Sequence, residues 1–342
     1  MTRRVFIVNA ALVATLIGGV ACGQQVPINA AGATFPYPMY SKWFDEYHKK
    51  FPQIPINYAS IGSGGGIAQV TAGTVDFGAS DGPMTDMQMK QFQDKRGSAI
   101  LHFPTVLGAD VPTYNIPGVA TALNFTPEAL AGIFLGKITK WDDPELTKAN
   151  PGVKLPSSNI VVVHRSDGSG TTYVWVDYLC KVSKEWETKV GRGTSVNWPV
   201  GLGGKGNEGV SGSIQQTANS IGYVELIYAV QNKMTYGKVK NASGEFIQAS
   251  LASVTAAAAG IPMPDDFRIS ITNAPGKGAY PISSFTWLLI PSKIADPTKK
   301  KAIKDFLAWM LADGQKMTEA LSYAPLPQAV VAKEVKAIDK IQ

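Results

Sequence analysis

The chain has 342 residues, 45% hydrophobic and 17% charged, with a formal net charge of +6 at pH 7. That length allows two domains of ordinary size, and the composition excludes disordered, fibrous and solenoid-repeat classes. The positive excess is mild and spread along the chain, which argues against a nucleic-acid surface.

The first residues read as an export address. Thr2-Arg3-Arg4 is a short positive start, Val5 to Val20 is mostly apolar and small, and the stretch ends at Ala21-Cys22-Gly23. A membrane span needs about 20 apolar residues, and this run is shorter. Residues 1–24 are therefore predicted to be a secretory signal, and the mature protein to be soluble and exported. Gly19-Val20-Ala21-Cys22 also loosely resembles a lipoprotein cleavage box, with Gly19 where Leu is usual. Lipidation of Cys22 and plain cleavage nearby both remain open. In either case Cys180 has no disulfide partner, and the core alone must hold the fold.

Beyond a polar linker, strand-like and helix-like runs alternate, which argues for an α/β fold. PYPMYSKWFDEYHKKF (36–51) places Tyr40, Trp43, Phe44, Tyr47 and Phe51 at helical spacing. INYAS (56–60) reads as a strand, GIAQVTAG (66–73) as a short helix and VDFGAS (75–80) as a strand. Thr85-Asp86 reads as a helix cap, and ILHFPTVLG after it as a strand. IVVV (160–163) is a buried strand, and TYVWVDYLCKV after it a helix. A glycine-rich passage, GRGTSVNWPVGLGGKGN (191–207), leads to a helix near 210–218. FTWLLI (285–290) is a buried strand, and residues 297–321 form one long amphipathic helix, its lysine run a solvated face.

Four segments share a grammar: GATFP (32–36), IGSGGG (61–66), GASDGP (78–83) and HRSDGSGTT (164–172). Each ends a strand or loop with small or hydroxyl residues and then opens a helix. The first N–H groups of a helix lack intrahelical partners and carry partial positive charge. Glycine allows close approach and hydroxyls add donors, so such a helix start suits an oxyanion. Arg165 is the strong cation of the set, and a guanidinium fits a tetrahedral oxyanion bidentately. A plain ion pair between Arg165 and Asp167 is the alternative, and both can hold at once.

Asp81 should repel an anion. It fits if the ligand brings a proton, as hydrogen phosphate and dihydrogen phosphate do. Sulfate, unprotonated at neutral pH, would meet like charge and an unpaired acceptor. Otherwise Asp81 is a helix cap in SDGP.

GATFP, IGSGGG, VDFGASDGPMT, FPTV, LGKITKWDDP, RSDGSGTT and WPVGLGGKGNEGV, in that order, resemble the periplasmic phosphate-binding protein family of high-affinity phosphate ABC transporters. The resemblance runs from about Gly32 to PLPQAVV near the C-terminus. It implies a two-lobed, type II-like periplasmic-binding-protein fold with the ligand cleft between lobes and two hinge crossings. Lobe one would comprise residues 25–106 and 281–342, and lobe two 107–280. Carried over by position, the phosphate ligands fall on Thr34, Phe35, Ser63, Asp81, Arg165, Ser169, Gly170 and Thr171, with Asp167 pairing with the arginine. His164 stands where an arginine can occur, and Gly64 where a second serine can. The resemblance further implies a monomeric receptor in the periplasm or cell envelope that needs no cofactor and delivers phosphate to permease subunits.

Three rival readings have less support. GxxxxGK[ST] is absent, G-x-S-x-G is absent around Ser63 and Ser169, and no H-x-x-x-H, C-x-x-C or Asp cluster offers a metal site for a phosphatase-like enzyme. The same fold could take arsenate, sulfate or molybdate; Asp81 argues against sulfate and not against arsenate. Nothing in the sequence supports an adhesion role.

Overall fold

The computed structural model describes residues 25–342. The predicted signal segment and Cys22 lie outside them. In chain order the elements begin with β1 (Ile28–Gly32), α1 (Tyr37–Lys50), β2 (Ile56–Ser60), α2 (Ser63–Ala72), β3 (Phe77–Ser80), α3 (Asp86–Arg96) and β4 (Ile100–Asn115). They continue with β5 (Asn124–Phe125), α4 (Pro127–Phe134), α5 (Pro144–Ala149), β6 (Val161–Arg165), α6 (Gly170–Val182), α7 (Lys184–Lys189), β7 (Leu202–Gly204), α8 (Gly206–Gln216), β8 (Ser220–Glu225) and α9 (Leu226–Gln231). The last are β9 (Thr235–Tyr236), β10 (Lys238–Lys240), β11 (Phe246–Ile247), α10 (Leu251–Ala258), β12 (Ser283–Pro291), α11 (Pro297–Ala312) and α12 (Gln328–Ala337).

The fold is α/β. One mixed sheet runs β2-β1-β3-β12-β4-β8-β6-β7, with β9 also paired to β4, and a small sheet runs β11-β10-β5. Parallel strands cluster in two sets, β1 with β2 and β3, and β6 with β7 and β8. The long strand β4 links them: residues 100–109 pair with β12 and residues 110–115 with β8, both antiparallel. The loops that leave the C-terminal ends of parallel strands are where ligands collect in α/β sheets.

Apolar spacing explains the main helices. Met39, Tyr40, Trp43, Phe44 and Tyr47 bury one face of α1, while Lys42 and Glu46 pair on the other. In α6, Trp175 is fully buried and its ring stacks on Tyr223 of β8 with centroids 4.9 Å apart. Each such side chain contributes roughly 1.5–3 kcal/mol by leaving water. No helix among the described residues is long and apolar enough to cross a membrane.

The structure corrects four sequence expectations. Helix α2 starts at Ser63, so Gly64, Gly65 and Gly66 of IGSGGG lie in its first turn rather than before it. Helix α11 stops at Ala312, and two 3₁₀ turns replace the predicted continuation to 321. Trp43 Nε1 donates to the Gly314 carbonyl at 2.8 Å, a tertiary bond that draws this carbonyl toward α1. GASDGP opens no helix directly, because Thr85 caps α3 in a capping box with Gln88. The Asp81 side chain accordingly caps nothing; it accepts from Thr286. Helix α12 was not expected.

Candidate functional site

Three chain segments meet at the N-termini of α1, α2 and α6. After β1 the chain passes Thr34 and Phe35. The Thr34 carbonyl accepts from Tyr228 Oη at 2.6 Å, and the Phe35 carbonyl from Tyr323 Oη at 2.6 Å. In a trans peptide the next N–H points opposite to the carbonyl, so the Phe35 N–H is directed away from Tyr228. Helix α2 begins after Gly62, which has φ 84° and offers no side-chain cap. Helix α6 is capped by Ser169, whose Oγ accepts from Thr172 N at 3.0 Å. The main-chain N–H groups of Thr34, Phe35, Ser63, Gly170 and Thr171 find no acceptor among the described residues. Gly64 N donates to Gly168 O at 2.8 Å, tying the start of α2 to the loop before α6.

Arg165 is the last residue of β6 and is buried. Its Nε and Nη2 donate to the two Asp167 oxygens at 2.8 and 2.5 Å. Asp167 also accepts from Gly206 N, at the start of α8, at 3.0 Å. Burial works against the Asp167 charge, but the hydrogen bonds and charge of Arg165 outweigh it and hold the carboxyl below the usual carboxylate range. Thus the ion pair exists, and it leaves Nη1 to bond to other groups at the site.

That Nη1 donates to Thr34 Oγ1 at 3.1 Å and to Thr171 Oγ1 at 3.2 Å. Asn207 Nδ2 donates to the same two hydroxyls at 2.8 and 3.1 Å. Its Oδ1 accepts from Glu225 N at 3.0 Å, which fixes the amide orientation. A hydroxyl oxygen has two acceptor positions and one hydrogen. With both acceptor positions filled, Thr34 and Thr171 can only donate.

Asp81 is the exception in this ring of donors. It is 1% exposed. Its N–H donates to Ser63 Oγ at 3.2 Å, and its Oδ1 accepts from Thr286 Oγ1 at 2.8 Å. Its Oδ2 has no partner among the described residues. Burial pushes the carboxyl up to about 7, against the Thr286 hydrogen bond, the Arg165 charge and Ser63. Gly170 lies against this oxygen and Ser63 Oγ, with no room for a Cβ.

The sequence-predicted residues therefore converge, with Ser169 acting as the α6 cap. Sequence reading missed Asn207, Thr286, Tyr228 and Tyr323. Asn207 stood in the quoted KGNEGV run, but it lacks the hydroxyl that marked the other loops. His164 turns aside: its ring stacks on Trp198 at 4.8 Å, and Nδ1 lies 3.0 Å from the Arg165 carbonyl. No cluster of three or more His, Cys, Asp or Glu is placed to hold a metal among the described residues. Donors all round with one unsatisfied carboxylate oxygen suit a tetrahedral oxyanion that carries a proton.

Comparison with known proteins agrees with this architecture. The family described as a PBP superfamily domain matches residues 17–314. The chain is 47% identical over 317 residues to the phosphate-binding protein PstS of Xylella fastidiosa, covering 92% of this chain and 85% of that one. It is 43% identical over 350 residues to the PstS of Pasteurella multocida, covering 99% and 98%. The high-affinity periplasmic phosphate-binding protein PfluDING, solved with phosphate bound, superposes with a TM-score of 0.73 at 21% identity over 91% of this chain and 93% of its own. The chain belongs to the PBP superfamily, and within it to the family of the PstS phosphate-binding proteins. These relatives are named for binding, not for catalysis.

Proposed function

We propose that this chain is an exported receptor that binds inorganic phosphate and delivers it to the permease subunits of an ABC transporter. The carrying observation is the unpaired, buried Oδ2 of Asp81 in a site that otherwise offers only donors. Hydrogen phosphate and dihydrogen phosphate satisfy both demands at once. Arsenate, protonated over the same pH range, meets the same demands, and sulfate does not.

In this reading Thr34 and Phe35 give main-chain N–H groups, and Thr34 a hydroxyl. Ser63, Ser169, Gly170 and Thr171 give further donors, Arg165 gives charge, Asp81 accepts the ligand's proton and Asp167 orients Arg165. Lobe one is residues 25–106 with 281–342, and lobe two 107–280. The partner change along β4 and the bonds that Arg165 and Asn207 send to Thr34 support a clamp between them. A ligand touched by both lobes favours closure, which signals occupancy to the permease. The protein acts as a monomer in the periplasm or cell envelope, with Cys22 a candidate lipid anchor, and is not an enzyme.

Equilibrium dialysis of unfolded and refolded, anion-free protein against labelled phosphate tests the reading. One phosphate per chain is expected. No retention overturns it, and phosphate-ester turnover that survives repurification would replace it with the phosphatase-like alternative.

A further inference from the structure

We propose that the Thr286 hydroxyl sets the direction of the proton at this site: by donating to Oδ1 of Asp81, it keeps the carboxylate an acceptor and leaves Oδ2 alone to receive the ligand's proton. The inference rests on the phosphate reading above and names a specificity-positioning residue for it.

Thr286 is fully buried on β12, beside an irregularity in the pairing of β12 with β4 between Thr286 and Trp287. Its single hydroxyl hydrogen has two candidate acceptors, Asp81 Oδ1 at 2.8 Å and Ser80 O at 3.5 Å. The nearer, ionisable oxygen wins on both distance and charge. Of the neighbouring hydroxyls, Tyr40 also interacts with Thr286, but a neutral phenol is a weaker acceptor than a carboxylate. Thr105 Oγ1 donates to the Thr286 carbonyl at 3.2 Å, so in its 2.9 Å contact with Thr105 the Tyr40 hydroxyl is the donor. Ser63 Oγ accepts from the Asp81 N–H and adds a weaker pull.

Asp81 sits among charged and titratable groups from several elements. Arg165 faces it from β6 and stays charged through Asp167. Asp110 from β4 and Glu225 from β8 are pushed well above the carboxylate range by burial. Tyr40, Tyr58 and Tyr323 are pushed above the usual tyrosine range by burial as well. Without the Thr286 hydroxyl, burial of Asp81 is less opposed and the neutral acid is favoured. A neutral Asp81 donates through Oδ2, which repels a ligand's own proton and accommodates a fully deprotonated oxygen instead.

The test is phosphate and sulfate affinity from pH 5 to 9 for the parent, Thr286→Val and Thr286→Ser, after stripping bound anion. A hydrogen bond to a charged group is worth about 1.5–3 kcal/mol, so Thr286→Val should weaken phosphate about tenfold or more at pH 7. The rise of phosphate affinity with pH should move upward by about one unit, and sulfate binding should strengthen. Thr286→Ser, which keeps the hydroxyl, should follow the parent. If Thr286→Val does not fold, Thr286→Ala reads the same loss. Phosphate binding by the parent with a profile unchanged by loss of the hydroxyl overturns the inference and leaves the phosphate reading standing. Absence of phosphate binding by the parent overturns that reading and the inference with it.

Discussion

Gly170 stands directly against the free carboxylate oxygen of Asp81, and a Cβ at position 170 would overlap both that oxygen and Ser63 Oγ. The glycine is needed for space, since the start of α6 and the loop after β3 meet there. Gly170→Ala should hold these segments apart. Overpacking of about 1–3 kcal/mol translates to roughly tenfold weaker phosphate binding by calorimetry. Unchanged affinity would mean that the two segments do not close on the ligand.

Asn207 fixes which way two hydroxyls point. Asn207→Ala should weaken phosphate about tenfold, because Thr34 and Thr171 become free to turn their hydrogens away from the ligand. Asn207→Asp should be worse. A carboxylate there would accept both hydrogens and add negative charge beside the anion. Titration of the two variants side by side checks the order, and equal losses would point to packing instead.

Glu334 gives a prediction about stability rather than binding. It is fully buried on α12, and neither carboxylate oxygen has a partner among the described residues. Burial raises it well above the usual value of 4.5. Between the unfolded and folded values the native state holds a proton that the unfolded chain releases. The stabilisation is complete below the unfolded value and falls by about 1.4 kcal/mol per pH unit until the folded value is passed. Glu334→Gln should flatten this slope, so denaturant midpoints of variant and parent should diverge in the variant's favour from pH 5 to pH 8. Phosphate affinity should not change.

The order of strands and helices was legible because hydrophobic periods of two and of 3.6 are local. So were the oxyanion loops, whose glycines and hydroxyls cluster within a few residues. The 3₁₀ turn that follows the end of the helix at Ala312 was not read, and the bond that ties it to the rest of the fold comes from Trp43, 271 residues away from Gly314 in the chain. The partners that set proton direction were hidden for the same reason. Thr286 lies 205 residues from Asp81, and Asn207 lies 173 from Thr34. Asp110 and Glu225 are cross-strand partners whose burial no local pattern announces.

The most direct test is calorimetric titration of the stripped protein at pH 7 with phosphate and with sulfate. One-to-one phosphate binding and no sulfate heat at matched concentrations are expected, with sulfate binding becoming measurable in Asp81→Asn. Equal binding of both anions by the parent would contradict the role of Asp81, and no heat with either would contradict the receptor assignment.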